Sequence, residues 1–367
     1  MKKPLELYLH IPFCVQKCAY CDFLSAPAGE EVQEQYVRRL LCEIRQAAGL
    51  AQEYEAVTAF FGGGTPSILK AEHIRRIMET LGEVFSWRDG AEVTIEANPG
   101  TVDRDKLRVY RECGVNRLSF GLQSADNEEL LRLGRIHTWE QFLESFRMAR
   151  EAGFSNLNVD LMSALPGQTE DGWRRTLERT AALEPEHISA YSLIIEEGTP
   201  FYGRYAEHPE LLPDEDTERS MYDMTKKFLR ERGYERYEIS NYAKPGYACR
   251  HNLGYWERTD YKGFGLGAAS LLGGVRSTNQ TELSEYLKGN FAGTSGRLSE
   301  QDVREEYFFL GLRKTDGVDP GPYRQHYGAL LEKLKAQGLL TEKDGSVCLT
   351  DYGIDISNYV LAQFLDD

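Results

Sequence analysis

Three cysteines lie within eight residues near the start of the chain, with the spacing Cys14-x-x-x-Cys18-x-x-Cys21. Thiolates grouped in this way hold iron–sulfur clusters, and they also hold zinc. On a four-iron cube, three thiolates leave one iron without a protein ligand, so that a cofactor or substrate can bind there. The zinc alternative requires a fourth ligand, for which His10 is the nearest histidine, although it falls within a strand-like segment. Spacing alone fits both sites.

The other four cysteines (Cys42, Cys113, Cys249 and Cys348) are scattered along the chain. This distribution indicates a metal or redox site in a reducing compartment and not a disulfide framework. The first residues lack the apolar core of a secretion signal, and no stretch approaches the roughly 20 apolar residues that span a bilayer. We therefore expect a cytoplasmic protein with no membrane span, for which peripheral membrane association stays open.

The chain has 367 residues, with 43 Lys and Arg against 58 Asp and Glu and a net charge of −15. A nucleic-acid binder usually carries a basic surface, so this charge argues against that class. The length allows a barrel-sized core and a further small domain.

Strand-like and helical segments alternate through the first two thirds of the chain. The predicted strands are Leu5–His10, Val57–Phe61, Val93–Glu96, Arg117–Phe120, Leu157–Leu161 and Ile188–Leu193. The intervening helical patterns are Val37–Leu50, Ile74–Val84, Leu107–Cys113, Phe142–Ala152 and Trp173–Leu183. Such alternation predicts βαβ units and a parallel sheet. Polar or glycine-rich segments follow the strands, as expected for a site at the carboxyl edge of a barrel.

The remaining chain predicts two further parts. Residues 241–274, rich in Gly, Tyr and Trp, are expected to form loops and short strands, within a connecting segment 241–298 that completes a barrel built from residues 1–240. In residues 299–367, Ser299 is placed to cap a helix, and Asp344-Gly345 predicts a hairpin turn. This order favours a small winged-helix-like α+β domain. Its 13 acids against 7 Lys and Arg argue for packing or substrate covering and against DNA binding.

The segment Tyr8–Asp22, YLHIPFCVQKCAYCD, resembles the radical-SAM enzymes in the branch of oxygen-independent coproporphyrinogen III oxidase. The resemblance continues through Gly62–Pro66, Glu96–Pro99, Ser119–Ser124, Leu165–Thr169 and Gly263–Ala268. It implies an α/β fold, an incomplete (β/α) barrel with a C-terminal domain of that family. It also implies a [4Fe–4S] cluster on Cys14, Cys18 and Cys21 that binds S-adenosylmethionine (SAM).

By this resemblance, SAM would contact Tyr8, Gly63, Glu96 and Ala269. A second SAM, or a substrate, would contact the residues that match the family's second site, which are Tyr20, Gly64, Thr65, Gln123, Arg135, Asp160 and Ile194. The alternative for Gln123, Arg135 and Asp160 is a polar network that satisfies the barrel mouth.

Two features separate the chain from the oxidases. Phe23 stands where they carry a fourth cysteine, and His251-Asn252-Leu253-Gly254-Tyr255-Trp256 matches the HNxxYW motif of the HemW haem chaperones. The motif makes His251, Asn252, Tyr255 and Trp256 candidate haem residues. Residues 241–276 also hold five Lys or Arg against two acids, which suits propionates. Equally, a lone histidine among aromatics is often a packed structural residue.

The resemblance therefore implies a haem chaperone that binds haem and transfers it to an acceptor protein, and that carries a SAM-binding cluster. The alternative is an oxygen-independent coproporphyrinogen III oxidase, so whether the chain is an enzyme stays open. The expected partners are haem and an unidentified acceptor, with no nucleic acid, and the protein is expected to be a monomer or a dimer promoted by the cluster.

Overall fold

Six parallel strands form the centre of the molecule, which is known from a computed structural model that describes residues 2–365. They are β1 (Lys3–Ile11), β2 (Tyr54–Gly63), β3 (Trp87–Ala97), β4 (Arg117–Gln123), β5 (Leu157–Ser163) and β6 (His187–Ser192). The connecting helices are α1 (Glu30–Gln46), α2 (Ala71–Val84), α3 (Arg104–Glu112), α4 (Asn127–Arg132), α5 (Trp139–Glu151) and α6 (Glu170–Ala181). The predicted βαβ alternation and parallel sheet are confirmed.

The second part of the chain extends this sheet at both edges. Its elements are α7 (Pro200–Tyr205), α8 (Glu215–Arg230), β7 (Glu235–Arg236), β8 (Asn241–Ala243), α9 (Arg250–Trp256), β9 (Tyr261–Phe264), β10 (Ala269–Leu272), β11 (Val275–Asn279), α10 (Leu283–Lys288) and β12 (Ala292–Arg297). The twelve strands run in the order β12-β11-β10-β9-β1-β2-β3-β4-β5-β6-β8-β7. Within residues 2–365 the terminal strands β12 and β7 do not pair, so the barrel is incomplete, as predicted.

The inward faces of the central strands are unusually polar. On β4, the residues at alternate positions, Arg117, Ser119, Gly121 and Gln123, all face one cavity, as the two-residue period of a strand requires. The outward faces pack against the helices with apolar side chains such as Leu118 and Phe120 on β4, both fully buried. A polar barrel interior leaves room for a ligand that an apolar, filled barrel would not.

The C-terminal residues form a separate hydrophobic core around Phe308 and Leu334. The elements are α11 (Glu300–Gly311), α12 (Arg324–Ala336), β13 (Leu340–Lys343), β14 (Ser346–Leu349), α13 (Asp351–Asp355) and α14 (Ser357–Ala362). Ser299 caps α11 in a reciprocal arrangement with Asp302, and the hairpin turns at Asp344 and Gly345, both at positive φ. The predicted cap and hairpin are therefore confirmed.

One local prediction was incomplete. The segment 241–274 contains, besides short strands, the helix α9, which carries the whole HNxxYW motif. Glu92 on β3 accepts hydrogen bonds from the backbone N–H groups of Arg250 (3.2 Å) and His251 (3.3 Å). The carboxylate thus satisfies donors at the start of the helix. Since Glu92 is far away in sequence, nothing local to the segment indicates this helix.

Among residues 2–365, no helix combines the length and the apolar character needed to cross a membrane.

Candidate functional site

A cavity of about 560 Å³ opens at the carboxyl ends of the central strands. It gathers most of the residues predicted for the site. The predicted residues on its wall are Cys14, Cys18, Cys21, Tyr20, Gly63, Gly64, Thr65, Glu96, Gln123, Arg135, Asp160, Ile194 and Asn252. The cysteine loop and the strand ends therefore face one space, as the register of a parallel sheet predicts.

The cysteine loop is tied to the barrel on two sides. The backbone N–H of Ala19 donates to the carbonyl of Leu133 (3.0 Å), and that of Phe201 donates to the carbonyl of Ala19 (3.0 Å). Tyr20 packs on Phe201, with ring centroids 6.4 Å apart. These contacts hold the loop between α4 and α7, so the three thiols are positioned by long-range contacts that local spacing cannot show.

Positive charge lies beside the thiols. Arg135 donates one hydrogen bond to the sulfur of Cys18 (3.5 Å) and another to the side-chain oxygen of Asn98 (2.7 Å). Burial raises the pKa of the Cys14 and Cys21 thiols. Thiols with raised pKa values bind metal only by releasing their protons, and a nearby guanidinium favours the resulting thiolates. The donor set therefore fits an iron–sulfur cluster.

The zinc alternative does not fit His10. Its Nε2 contacts the carbonyl oxygen of Leu24 (2.9 Å), so it donates there, and its Nδ1 accepts from the hydroxyl of Tyr8 (3.1 Å). Within the described part of the chain, no three His, Cys, Asp or Glu side chains converge closely enough to hold one metal ion. Ligands of a four-iron cube each bind a different iron, so a cluster does not require the three thiols to converge on one point.

Close packing requires glycine at Gly63 and Gly64, where β2 ends. Gly63 adopts φ +108°, and a Cβ there would lie 2.5 Å from the ring of His10. A Cβ on Gly64 would lie 2.5 Å from the carbonyl oxygen of Phe13. Glycine is thus needed to bring the β2 backbone against the start of the cysteine loop, besides the close approach to SAM that the resemblance implies.

Glu96 lies on the cavity wall at the end of β3. Burial, reinforced by the charge of Asp160, raises the pKa of Glu96 to about 8. A carboxyl group with this pKa ionises readily when a cationic ligand arrives. Glu96 is therefore suited to accept hydrogen bonds from an ammonium group.

Gln123 and Asp160 form part of a polar network on the adjacent strands. The backbone of Gln123 has φ +72°, a conformation that non-glycine residues rarely adopt, and its side-chain oxygen accepts from the Tyr191 hydroxyl (3.0 Å). Asp160 accepts from Ser119 (3.2 Å) and from Asn158 (2.7 Å). The polar network, which the sequence offered as an alternative to ligand binding by these residues, is thus present, and it faces the cavity.

Two residues predicted to contact SAM lie elsewhere. Ala269 is on β10, paired with β11, and does not line the cavity. Tyr8 lies behind the wall on β1, where its ring stacks on Phe60 (6.4 Å) and on His251 (6.5 Å).

The motif histidine is buried behind the same wall. His251 is 1% exposed, stacks on Phe60 at 5.1 Å, and has both ring nitrogens engaged, Nδ1 with Thr58 (2.7 Å) and Nε2 with Tyr255 (3.0 Å). Burial lowers the pKa of His251 to about 3, so the ring is neutral. In this arrangement the imidazole supports the wall and presents no nitrogen to the cavity.

The other motif residues point in different directions. Asn252 lines the cavity, whereas Trp256 packs on the guanidinium of Arg313, 4.4 Å from its ring, in the C-terminal domain. Tyr255 packs edge-on against Tyr261 on β9, with centroids 4.8 Å apart. Helix α9 therefore joins the cavity wall, the sheet extension and the C-terminal domain.

Sequence reasoning missed several polar residues on the cavity wall, notably Asn98, Arg117, Ser189 and Asn241. Asn98 directly follows β3, which was a usable signal. Arg117 begins the predicted strand Arg117–Phe120, and a cation at the start of a central strand was a second signal.

Comparison with known proteins assigns the family. The radical SAM superfamily matches residues 8–180, and the HemN C-terminal domain matches residues 298–356. The heme chaperone HemW of Bacillus subtilis is 35% identical over 98% of this chain and 99% of its own length. The heme chaperone HemW of Escherichia coli is 36% identical over 99% of this chain and 98% of its own length. The chain belongs to the HemW family.

The chain is also similar in structure to an oxidase. The solved coproporphyrinogen III oxidase HemN of Escherichia coli, a radical SAM enzyme, aligns with a TM-score of 0.85 and 26% identity. The alignment covers 99% of this chain and 90% of that one. Membership of the radical SAM superfamily implies a [4Fe–4S] cluster and SAM. Phe23, which the resemblance places where the oxidases carry a fourth cysteine, is 62% exposed and lines the cavity.

Proposed function

We propose that this protein is a haem chaperone that binds haem and passes it to an acceptor protein, and that it carries a SAM-binding [4Fe–4S] cluster on Cys14, Cys18 and Cys21. The observation that carries the proposal is the single cavity onto which the three thiols and Asn252 of the HNxxYW motif both open. Full-length similarity to HemW proteins supports the haem-binding part.

We place SAM at the mouth of the cavity, against Gly63 and Glu96. The bound cluster would supply an open iron for SAM and a route for single electrons. The residues of the chain do the rest: Glu96 accepts from the ammonium group, and the glycine backbone allows close approach. Tyr20, Gly64, Thr65, Gln123, Arg135, Asp160 and Ile194 remain the proposed contacts of a second SAM or a substrate.

Haem would bind in the same cavity, against the wall that α9 forms. Asn252 is the motif residue placed to contact it, and His251 would act by holding Phe60 and Tyr255 in position. Axial ligation by His251 would require both of its hydrogen bonds to break, so we propose a positioning role. Trp256 would couple this wall to the C-terminal domain through Arg313.

Haem titration tests the proposal. Wild-type protein, reconstituted anaerobically, should give a saturable haem spectrum and should then lose haem to apo-myoglobin. Asn252→Ala should weaken haem binding about tenfold through loss of a polar contact. The exposed variant Asn290→Ala, located between α10 and β12, serves as the matched control. A wild-type protein without a saturable haem spectrum would refute the proposal.

Product analysis with coproporphyrinogen III, SAM and a reductant tests the oxidase alternative, which the likeness to HemN supports. We expect no conversion to protoporphyrinogen, since Phe23 replaces the fourth cysteine.

The seven free cysteines fit the proposed cytoplasmic location.

A further inference from the structure

A buried cation lies on the wall of the cavity without a protein partner. Arg117, the first residue of β4, is 2% exposed and lines the cavity. Among residues 2–365 its side chain forms no hydrogen bond and no ion pair, and its Nε is buried without an acceptor. Carboxylates in the surrounding wall favour the positive charge, but none of them bonds to the guanidinium, so its buried N–H groups lack the acceptors that a ligand would supply.

The two carboxylates whose charges act on Arg117 are already engaged by other groups. Asp160 accepts from Ser119 and Asn158, and Glu92 accepts from the backbone at the start of α9. Both act on Arg117 only through their charges, because neither approaches it within the 4.0 Å of an ion pair. The guanidinium is therefore not the structural partner of either carboxylate.

The position of Arg117 indicates the deep end of the cavity. The cysteine loop and Gln123 lie at the carboxyl ends of the strands, and Arg117 is six residues before Gln123 on β4, or roughly 20 Å along the strand. The amide of Asn252 lines the same cavity and has no side-chain hydrogen bond within the described residues. A ligand at the mouth could thus extend an acidic arm towards two free donor groups.

We infer that Arg117, with Asn252, forms a carboxylate-binding subsite at the deep end of the barrel cavity. A planar guanidinium can donate two parallel hydrogen bonds to the two oxygens of a carboxylate. An inorganic monoanion does not make full use of this geometry. The inference rests on the proposed function, which offers a propionate of haem as the carboxylate. The carboxylate of SAM does not fit, because the amino-acid end of SAM is placed at the mouth against Glu96.

One ligand pair tests the subsite. Haem is compared with haem dimethyl ester, each titrated into anaerobically reconstituted wild type, Arg117→Gln, Arg117→Lys and the exposed control Arg297→Gln. Wild type should bind haem about 10- to 100-fold more tightly than the ester. Arg117→Gln should abolish this preference, Arg117→Lys should retain part of it, and Arg297→Gln should behave as wild type.

The outcomes are distinguishable. Wild type that binds haem and its dimethyl ester equally well overturns the subsite but leaves the proposed function intact, as does a preference for haem that persists in Arg117→Gln. Absence of saturable haem binding by wild type refutes the proposed function and the inference together. Should Arg117→Gln fail to fold, shown by circular dichroism, the ligand pair with wild type and Arg117→Lys still decides.

Discussion

Glu6 offers a test of the polar barrel interior through stability alone. It lies on β1, is 1% exposed, and its Oε2 has no hydrogen-bond partner. Burial, with smaller contributions from the charges of Glu92 and Glu257, raises the pKa of Glu6 to about 9 from 4.5. Since His251, 4.0 Å away, has its pKa lowered, the two groups face each other uncharged and not as an ion pair.

The sign of the pH dependence follows from these pKa values. Between pH 4.5 and about 9 the folded protein keeps the proton on Glu6, whereas the unfolded chain releases it. The free energy of unfolding therefore falls as pH rises through this range. At about 1.36 kcal/mol per pH unit above pH 4.5, the free energy of unfolding has fallen by about 3 kcal/mol at pH 7. Glu6→Gln has the shape of the protonated acid and avoids this loss.

Urea unfolding of wild type and Glu6→Gln, followed by circular dichroism from pH 5 to pH 8, measures the effect. We expect the variant to be more stable by up to about 3 kcal/mol at pH 7 and by under about 1 kcal/mol at pH 5. The control Glu72→Gln, whose side chain is 63% exposed, should change stability by under about 1 kcal/mol. If Glu6→Gln is less stable than wild type at pH 7, the carboxyl group is ionised and the reasoning is wrong.

Two further predictions concern the cavity and the motif helix. SAM affinity should rise by up to tenfold per pH unit between about pH 6 and pH 7, because the ammonium group needs ionised Glu96, whose pKa is raised to about 8. Calorimetric titration of Glu96→Gln should show weaker SAM binding that does not depend on pH. A pH profile of the variant that matches that of wild type would contradict this role. Gly254→Ala should cost about 1–3 kcal/mol of stability, because a Cβ there would lie 1.9 Å from Oε1 of Glu6. Thermal unfolding checks this against Gly82→Ala on α2, where a Cβ meets nothing within 4 Å; equal effects would refute the predicted clash.

The sequence predicted what depends on local pattern. The alternation of apolar runs predicted the parallel strands, and the polar segments after those strands predicted that the cysteine loop and the strand ends would lie at one edge of the sheet. These features succeed because the carboxyl ends of parallel strands meet at one edge of a sheet. The hairpin at Asp344 likewise follows from residues that tolerate positive φ.

The remaining features depend on contacts between distant residues. Helix α9 begins where Glu92, on a strand 158 residues earlier, accepts its first N–H groups. The burial of His251 follows from stacking on Phe60, which no spacing within the motif reveals. The unpaired state of Arg117 is visible only once the partners of Asp160 are known.

The SAM-binding [4Fe–4S] cluster that we propose on Cys14, Cys18 and Cys21 underlies every function considered for this protein. The most direct test is iron and sulfide analysis, with electron paramagnetic resonance of the reduced protein with and without SAM, on anaerobically reconstituted wild type, Cys18→Ser and Cys42→Ser. For wild type and for the exposed control Cys42→Ser, we predict about four irons and four sulfides per chain and a paramagnetic resonance spectrum that changes when SAM is added. Cys18→Ser should lose both properties. Stoichiometric zinc in wild type, or an intact cluster in Cys18→Ser, would contradict the claim.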